Sequence, residues 1–168
     1  MLHNLLATDE RRALEFFFVH LRDVSEGDVP RDELLYNASV LAHYAQVSTA
    51  ASDGMPMATS LSAIFDQFVV DTTLHGDGEM METAAAQCLV LAGFFEDQMR
   101  ERYNIRWYAE LGAAFFRRAA LRAASARQAH LLEGLAREFE PWRRRHALLS
   151  RELRDQPYLL TRHNEDVS

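Results

Sequence analysis

Residues 83–95, "TAAAQCLVLAGFF", constrain the fold more than any other stretch, because a helix built from them is apolar on every side. A helix of that kind has no face to give to water and belongs in the middle of a bundle. The run is too short to cross a bilayer, which takes about 20 apolar residues, and acids flank it at Glu79, Glu82, Glu96 and Asp97. It predicts an all-α fold, an up-down bundle of five to six helices around a buried central one. The remaining sequence fits that expectation. Ala, Leu, Glu and Arg dominate, all good helix formers, and the chain holds only four Pro and seven Gly in 168 residues. That length buries a core without disulfides or metal staples. One domain is expected over residues 1–156, with 157–168 as a tail.

Local signals place the helices. Thr8 reads as the N-cap of a first helix whose inner face is Leu14, Phe17, Phe18 and Leu21, at spacings of three and four. "SEGDVP" ends it, and Pro30 suits the first turn of a second helix with Leu34, Ala38, Leu41 and Ala45 inward. "ASDGMP" is the clearest break, followed by a third helix with Leu61, Ile64, Phe65 and Phe68 inward, and then by the apolar helix. Asn104 marks the turn into a fifth helix over 105–124. Ser125 and Gln128 form a capping box, two backbone donors satisfied reciprocally. Pro141 predicts a kink or a fresh start, since an interior proline costs about 3 kcal/mol.

Residues 93–116, "GFFEDQMRERYNIRWYAELGAAFF", concentrate rings. The periodicity puts Trp107, Leu111, Ala114 and Phe115 on one side of the fifth helix, with Tyr108, Gly112 and Phe116 rotated from them. Gly112 costs about 1 kcal/mol relative to Ala inside a helix, which close approach of a neighbour would offset. These rings read first as core between the fourth and fifth helices. The other reading is an apolar pocket with His43, Tyr44, Phe95, Tyr103, Trp107 and Tyr108 around it. The stretch resembles a group of uncharacterised bacterial helical proteins with Gly-Phe-Phe-Pro-Glu, a tyrosine pair, Met-Gly and Ala-Tyr. Gly93, Phe94, Phe95, Trp107, Tyr108, Leu111, Gly112, Phe115 and Phe116 stand at matching places, and Glu96 replaces the proline. The resemblance implies a shared helical fold and no activity. The missing proline implies that the apolar helix runs further here.

Charge and motif content narrow the chemistry. All 18 basic residues are Arg, so Schiff-base and phosphate-loop lysines are excluded. Residues 1–104 carry a net charge of −11 and residues 105–168 one of +4, two surfaces able to pair within the chain or between copies. "DTTLHGDGEMME", residues 71–82, resembles a calcium loop in Asp71, Gly76 and Glu82, with Thr73, His75 and Glu79 at further ligand positions. Thr73 and His75 stand where acids or amides belong, so the acids read first as helix caps. Glu-x-x-His pairs, His-Glu-x-x-His, Gly-x-Ser-x-Gly and Cys-x-x-Cys are missing. "PWRRRHALLSRELRDQ" offers Arg143, Arg144, Arg145, Arg151 and Arg154 as a partner-facing row. Interleaved Glu152 and Asp155 and a net charge of −7 argue against nucleic acid.

Together these features point to a non-enzymatic interaction or regulatory protein, a homodimer that also has room for another protein partner, with no cofactor and no membrane span. The single Cys88 and a first segment without an apolar signal region place it in the cytoplasm. The reading from the other class is a small-ligand binder or enzyme with the aromatic-lined pocket.

Overall fold

The computed structural model describes residues 10–50 and 78–155, with the backbone alone for residue 10 and residues 46–50. Among these residues the fold is all-α, without a strand. The helices are α1 (Glu10–Val24), α2 (Arg31–Ala50), α3 (Gly78–Ala92), α4 (Glu96–Met99), α5 (Ile105–Leu121), α6 (Ala126–Arg137) and α7 (Phe139–Asp155). The helix expected over Leu61–Phe68 and the tail lie outside the described residues. The described helices fall into two compact units. One holds α1, α2 and residues 145–155 of α7; the other holds residues 78–144.

In the first unit α1 packs along α2. The buried face of α1 is Ala13, Phe16, Phe17 and Leu21, rotated from the expected one. Leu14 and Phe18 are half-buried, while Phe16 packs edge-on against Phe17 with centroids 5.3 Å apart. α2 buries Leu34, Ala38, Leu41 and Ala45 as its spacing predicts. Between the two, Ser25 closes α1 by donating from its hydroxyl to the Leu21 carbonyl at 2.6 Å. Gly27 then turns the chain with φ 84°, a conformation that favours glycine. Pro30 stands just ahead of α2, and its carbonyl accepts from Leu34 N–H at 3.0 Å.

In the second unit α3 packs along α5, and α6 packs on the other flank of α5. Residues 88–94 are buried without exception, as an all-apolar helix requires. α3 stops at Ala92. Residues 93–95 turn, with Phe95 N–H reaching back to the Val90 carbonyl at 3.1 Å, and α4 is a single turn. The ending has a cause: Arg143 Nη1 donates to the freed Ala92 carbonyl at 3.2 Å, replacing the next turn of helix.

Caps follow the sequence closely. Asn104 accepts from Trp107 N–H at 3.2 Å to open α5. Ser125 Oγ accepts from Gln128 N–H at 3.1 Å, and Gln128 Oε1 accepts in return from Ala124 N–H at 3.3 Å. α6 ends at Arg137 and α7 begins at Phe139, so Pro141 sits in a first turn that needs no N–H from it. Gly112 faces the tightest packing: a Cβ there would meet Phe139 Cζ at 2.5 Å and Cys88 Cβ at 2.9 Å. The buried face of α5 is therefore Tyr108, Gly112, Phe115 and Phe116, and Trp107 is left 38% exposed.

Candidate functional site

The rings of residues 93–116 settle mostly into packing. Tyr108 joins Leu91, Ala92 and Met99 in a buried cluster, with Phe95, Tyr103 and Ile105 packed against it. Tyr103 and Tyr108 meet edge-on at 5.8 Å, and Trp107 and Tyr108 at 4.8 Å. Burial, then the neighbouring Tyr103, raises the pKa of the Tyr108 phenol. Four of the six proposed pocket residues, Phe95, Tyr103, Trp107 and Tyr108, thus share one neighbourhood in the second unit. His43 and Tyr44 belong to the first unit, where His43 is exposed, Tyr44 is half-buried, and their rings are 6.5 Å apart.

The open groove in the second unit has a different chemistry. It encloses about 950 Å³. Its buried lining is Ala109 and Ala113 on α5 with Ala136 and Phe139, and the three alanines are small side chains that let a visitor approach the backbone closely. Around it stand Arg100, Arg106, Arg117, Arg137 and Arg143 with Glu96, Glu110 and Glu140, and Tyr103, Asn104 and Ile105 complete the lining. Each glutamate is already matched: Glu96 with Arg100 and Arg143 (3.2 Å each), Glu110 with Arg106 (3.3 Å), Glu140 with Arg143 and Arg144. Among the described residues Arg117 has no ion-pair partner, and Arg137 reaches only the half-buried Glu138 at 3.9 Å. Positive charge is left over on both α5 and α6 beside the alanines.

Arg143 shapes the groove. Its side chain, 11% exposed, grips Glu140 at two points (2.6 and 2.9 Å) and touches Glu96 as well as the Ala92 carbonyl. One side chain thereby joins the end of α3, α4 and the start of α7. The hydrogen bonds from Arg143, chiefly, hold the Glu140 carboxyl below the usual range, and Glu140 in turn raises the arginine. Arg143 was expected to face a partner; it is turned inward because four acceptors converge on it. Of the other four, Arg144 is exposed and paired with Glu140 at 3.4 Å, Arg154 is exposed, and Arg145 and Arg151 are half-buried.

Of the calcium-like loop, Asp71, Thr73 and His75 lie outside the described residues. Glu79 is exposed and Glu82 half-buried on the first turns of α3, and Thr83 Oγ1 donates to the Glu79 carbonyl at 2.9 Å. Among the described residues no three His, Cys, Asp or Glu side chains gather as a metal set.

Two reactive side chains are sealed. Burial pushes the Cys88 thiol up to about 12. His146 of α7 is fully buried in the first unit, and burial lowers it to about 3. Its Nε2 lies 2.8 Å from Asn37 Oδ1 on α2, and Asn37 Nδ2 donates to the Glu33 carbonyl at 2.8 Å. The amide orientation is fixed by that second bond, so Nε2 carries the imidazole proton and Nδ1 is a bare acceptor without a partner among the described residues. Neither residue stood out as a candidate in the sequence. The signal was present: Trp142, His146, Leu149 and Leu153, spaced four, three and four, are all buried, which puts a histidine on the core stripe of α7. No family model, no curated protein and no solved structure matches this chain.

Proposed function

We propose that this chain is a non-enzymatic interaction or regulatory protein of the cytoplasm that works as a homodimer. The observation that carries the reading is the groove over Ala109, Ala113 and Ala136. It is open and lined by arginines beside glutamates that are already matched. Such a surface suits a protein face that brings carboxylates; it offers a small substrate little enclosure. The division of charge along the chain, net −11 and then +4, supplies complementary surfaces in a single sequence and supports self-association. The lone Cys88, buried, fits a reducing compartment. Among the described residues no helix is long and apolar enough to cross a membrane.

The alternative, a small apolar ligand held among the rings, draws on the exposed Trp107 next to Tyr108. The enclosed rings around it, Phe95 and Tyr108, are engaged with Leu91 and Met99. Sedimentation equilibrium from low micromolar to submillimolar protein tests the favoured reading. A mass of twice the chain's 19.2 kDa is the expected result. A monomer mass throughout overturns it.

A further inference from the structure

We infer that the groove of one copy receives the acidic turn Glu26-Gly27-Asp28 of a second copy. This rests on the homodimer reading and names its contact surfaces. Arg117 and Arg137 are both exposed on the walls, beside the Ala113 and Ala136 floor. Among the described residues one has no ion-pair partner and the other a single long one, while the glutamates around them are taken. The groove therefore asks for two carboxylates on a narrow support.

The α1–α2 turn offers that shape and charge. Glu26 and Asp28 are exposed, and among the described residues neither has an ion-pair partner. Their neighbours are engaged locally: Asp23 lies 3.8 Å from Arg22, and Asp32 Oδ1 accepts from Glu33 N–H at 2.9 Å. Gly27 at the tip has no side chain, and a Cβ built there would meet nothing within 4 Å. The tip is thus slim and unobstructed. Two unmatched carboxylates separated by a glycine meet two under-matched guanidiniums across alanines, a pairing that arginine's fork makes directional. The protein's overall charge of −7 opposes self-association at long range, so a local match of this kind has to overcome it. It also makes the contact salt-sensitive.

A charge-swap experiment tests the assignment. One variant carries Arg117→Glu with Arg137→Glu, another Glu26→Arg with Asp28→Arg; all four positions are exposed, and far-UV circular dichroism checks that helicity is kept. Each variant alone is expected to weaken dimerisation by about tenfold or more at low salt. Mixing the two is expected to recover a dimer, because the reversed groove then meets the reversed turn. If the wild type is a monomer at every concentration, the homodimer reading and this assignment fall together. If the wild type is a dimer that the groove reversal leaves unchanged, the assignment falls and the homodimer stands. Weakening by the groove reversal alone, or no recovery on mixing, also overturns it by showing that another segment occupies the groove. Should a reversal lower helicity, Arg117→Gln with Arg137→Gln and Glu26→Gln with Asp28→Asn replace it, each expected to weaken the dimer by a smaller factor.

Discussion

His146 should make this protein lose stability as pH falls below about 6.5 in a way that one substitution removes. The imidazole is fully buried and neutral, with a folded-state pKa of about 3 against 6.5 for the free side chain. The sign follows from which state takes up the proton. Below pH 6.5 the unfolded chain binds a proton at residue 146 and the folded chain does not, so protonation favours unfolding. The stabilisation associated with neutral His146 is fully present above pH 6.5 and is lost progressively toward the folded value near 3. Each pH unit in that window costs about 1.4 kcal/mol. Between pH 6.5 and 4.5 the loss is about 2 kcal/mol, a large share of the roughly 5–15 kcal/mol that holds an ordinary domain folded. His146→Gln keeps a neutral donor able to face Asn37 Oδ1 and cannot titrate. Urea unfolding followed by circular dichroism at fixed pH values from 7 down to about 4.5 measures both proteins. The Gln variant starts somewhat less stable at neutral pH, because its amide fits the site less well, but its profile is flatter. Carboxylates such as Glu140 titrate in both proteins and cancel in the comparison. Parallel profiles, or an imidazole NMR titration of the folded protein with a midpoint above pH 5, would refute the argument.

Two further substitutions probe the second unit. Gly112→Ala pushes a methyl into Phe139 and Cys88, so overpacking of about 1–3 kcal/mol outweighs the helix-propensity gain of about 1 kcal/mol; the expected net is a loss of up to about 2 kcal/mol by urea unfolding, and a stabilised variant would contradict the packing. Arg143→Met keeps the stem but leaves the Ala92 carbonyl without its donor and Glu96 and Glu140 with one arginine each, Arg100 and Arg144, with an expected loss of about 1–3 kcal/mol. The stability from Glu140, whose pKa is lowered when folded, is present at neutral pH and lost as pH falls through that lowered value. The Met variant should lack that acid-side contribution, and an unchanged profile between pH 5 and 3 would count against it.

Much of the fold was legible from residues close together in the chain. The all-apolar run at 83–95, the Asn104 and Ser125 caps and the break before Pro141 act within one or two helical turns, so each could be read where it stands. The close approach at Gly112 was anticipated too, because a glycine inside a helix needs a reason. What was misjudged were the helix faces. Phe16 rather than Phe18 is fully buried on α1, and Trp107 rather than Tyr108 is left exposed on α5. A stripe of apolar residues wide enough to face two neighbours does not say which neighbour takes which edge.

The candidate site was hardly legible at all. Arg143 looked like one more member of a basic row, and only its position against Glu96 and the Ala92 carbonyl, 51 residues away for the latter, turns it into an internal clamp. Likewise the groove draws Ala109 and Ala113 from α5, Ala136 from α6, and Phe139 from the start of α7. The His146–Asn37 pair joins residues 109 positions apart. Helix type, helix ends and the buried character of α3 are determined by the sequence itself, because propensity, capping and amphipathicity are short-range properties. Which arginines remain unmatched and which histidine is sealed were decided only by the tertiary structure, since desolvation and ion pairing depend on neighbours that chain order does not specify.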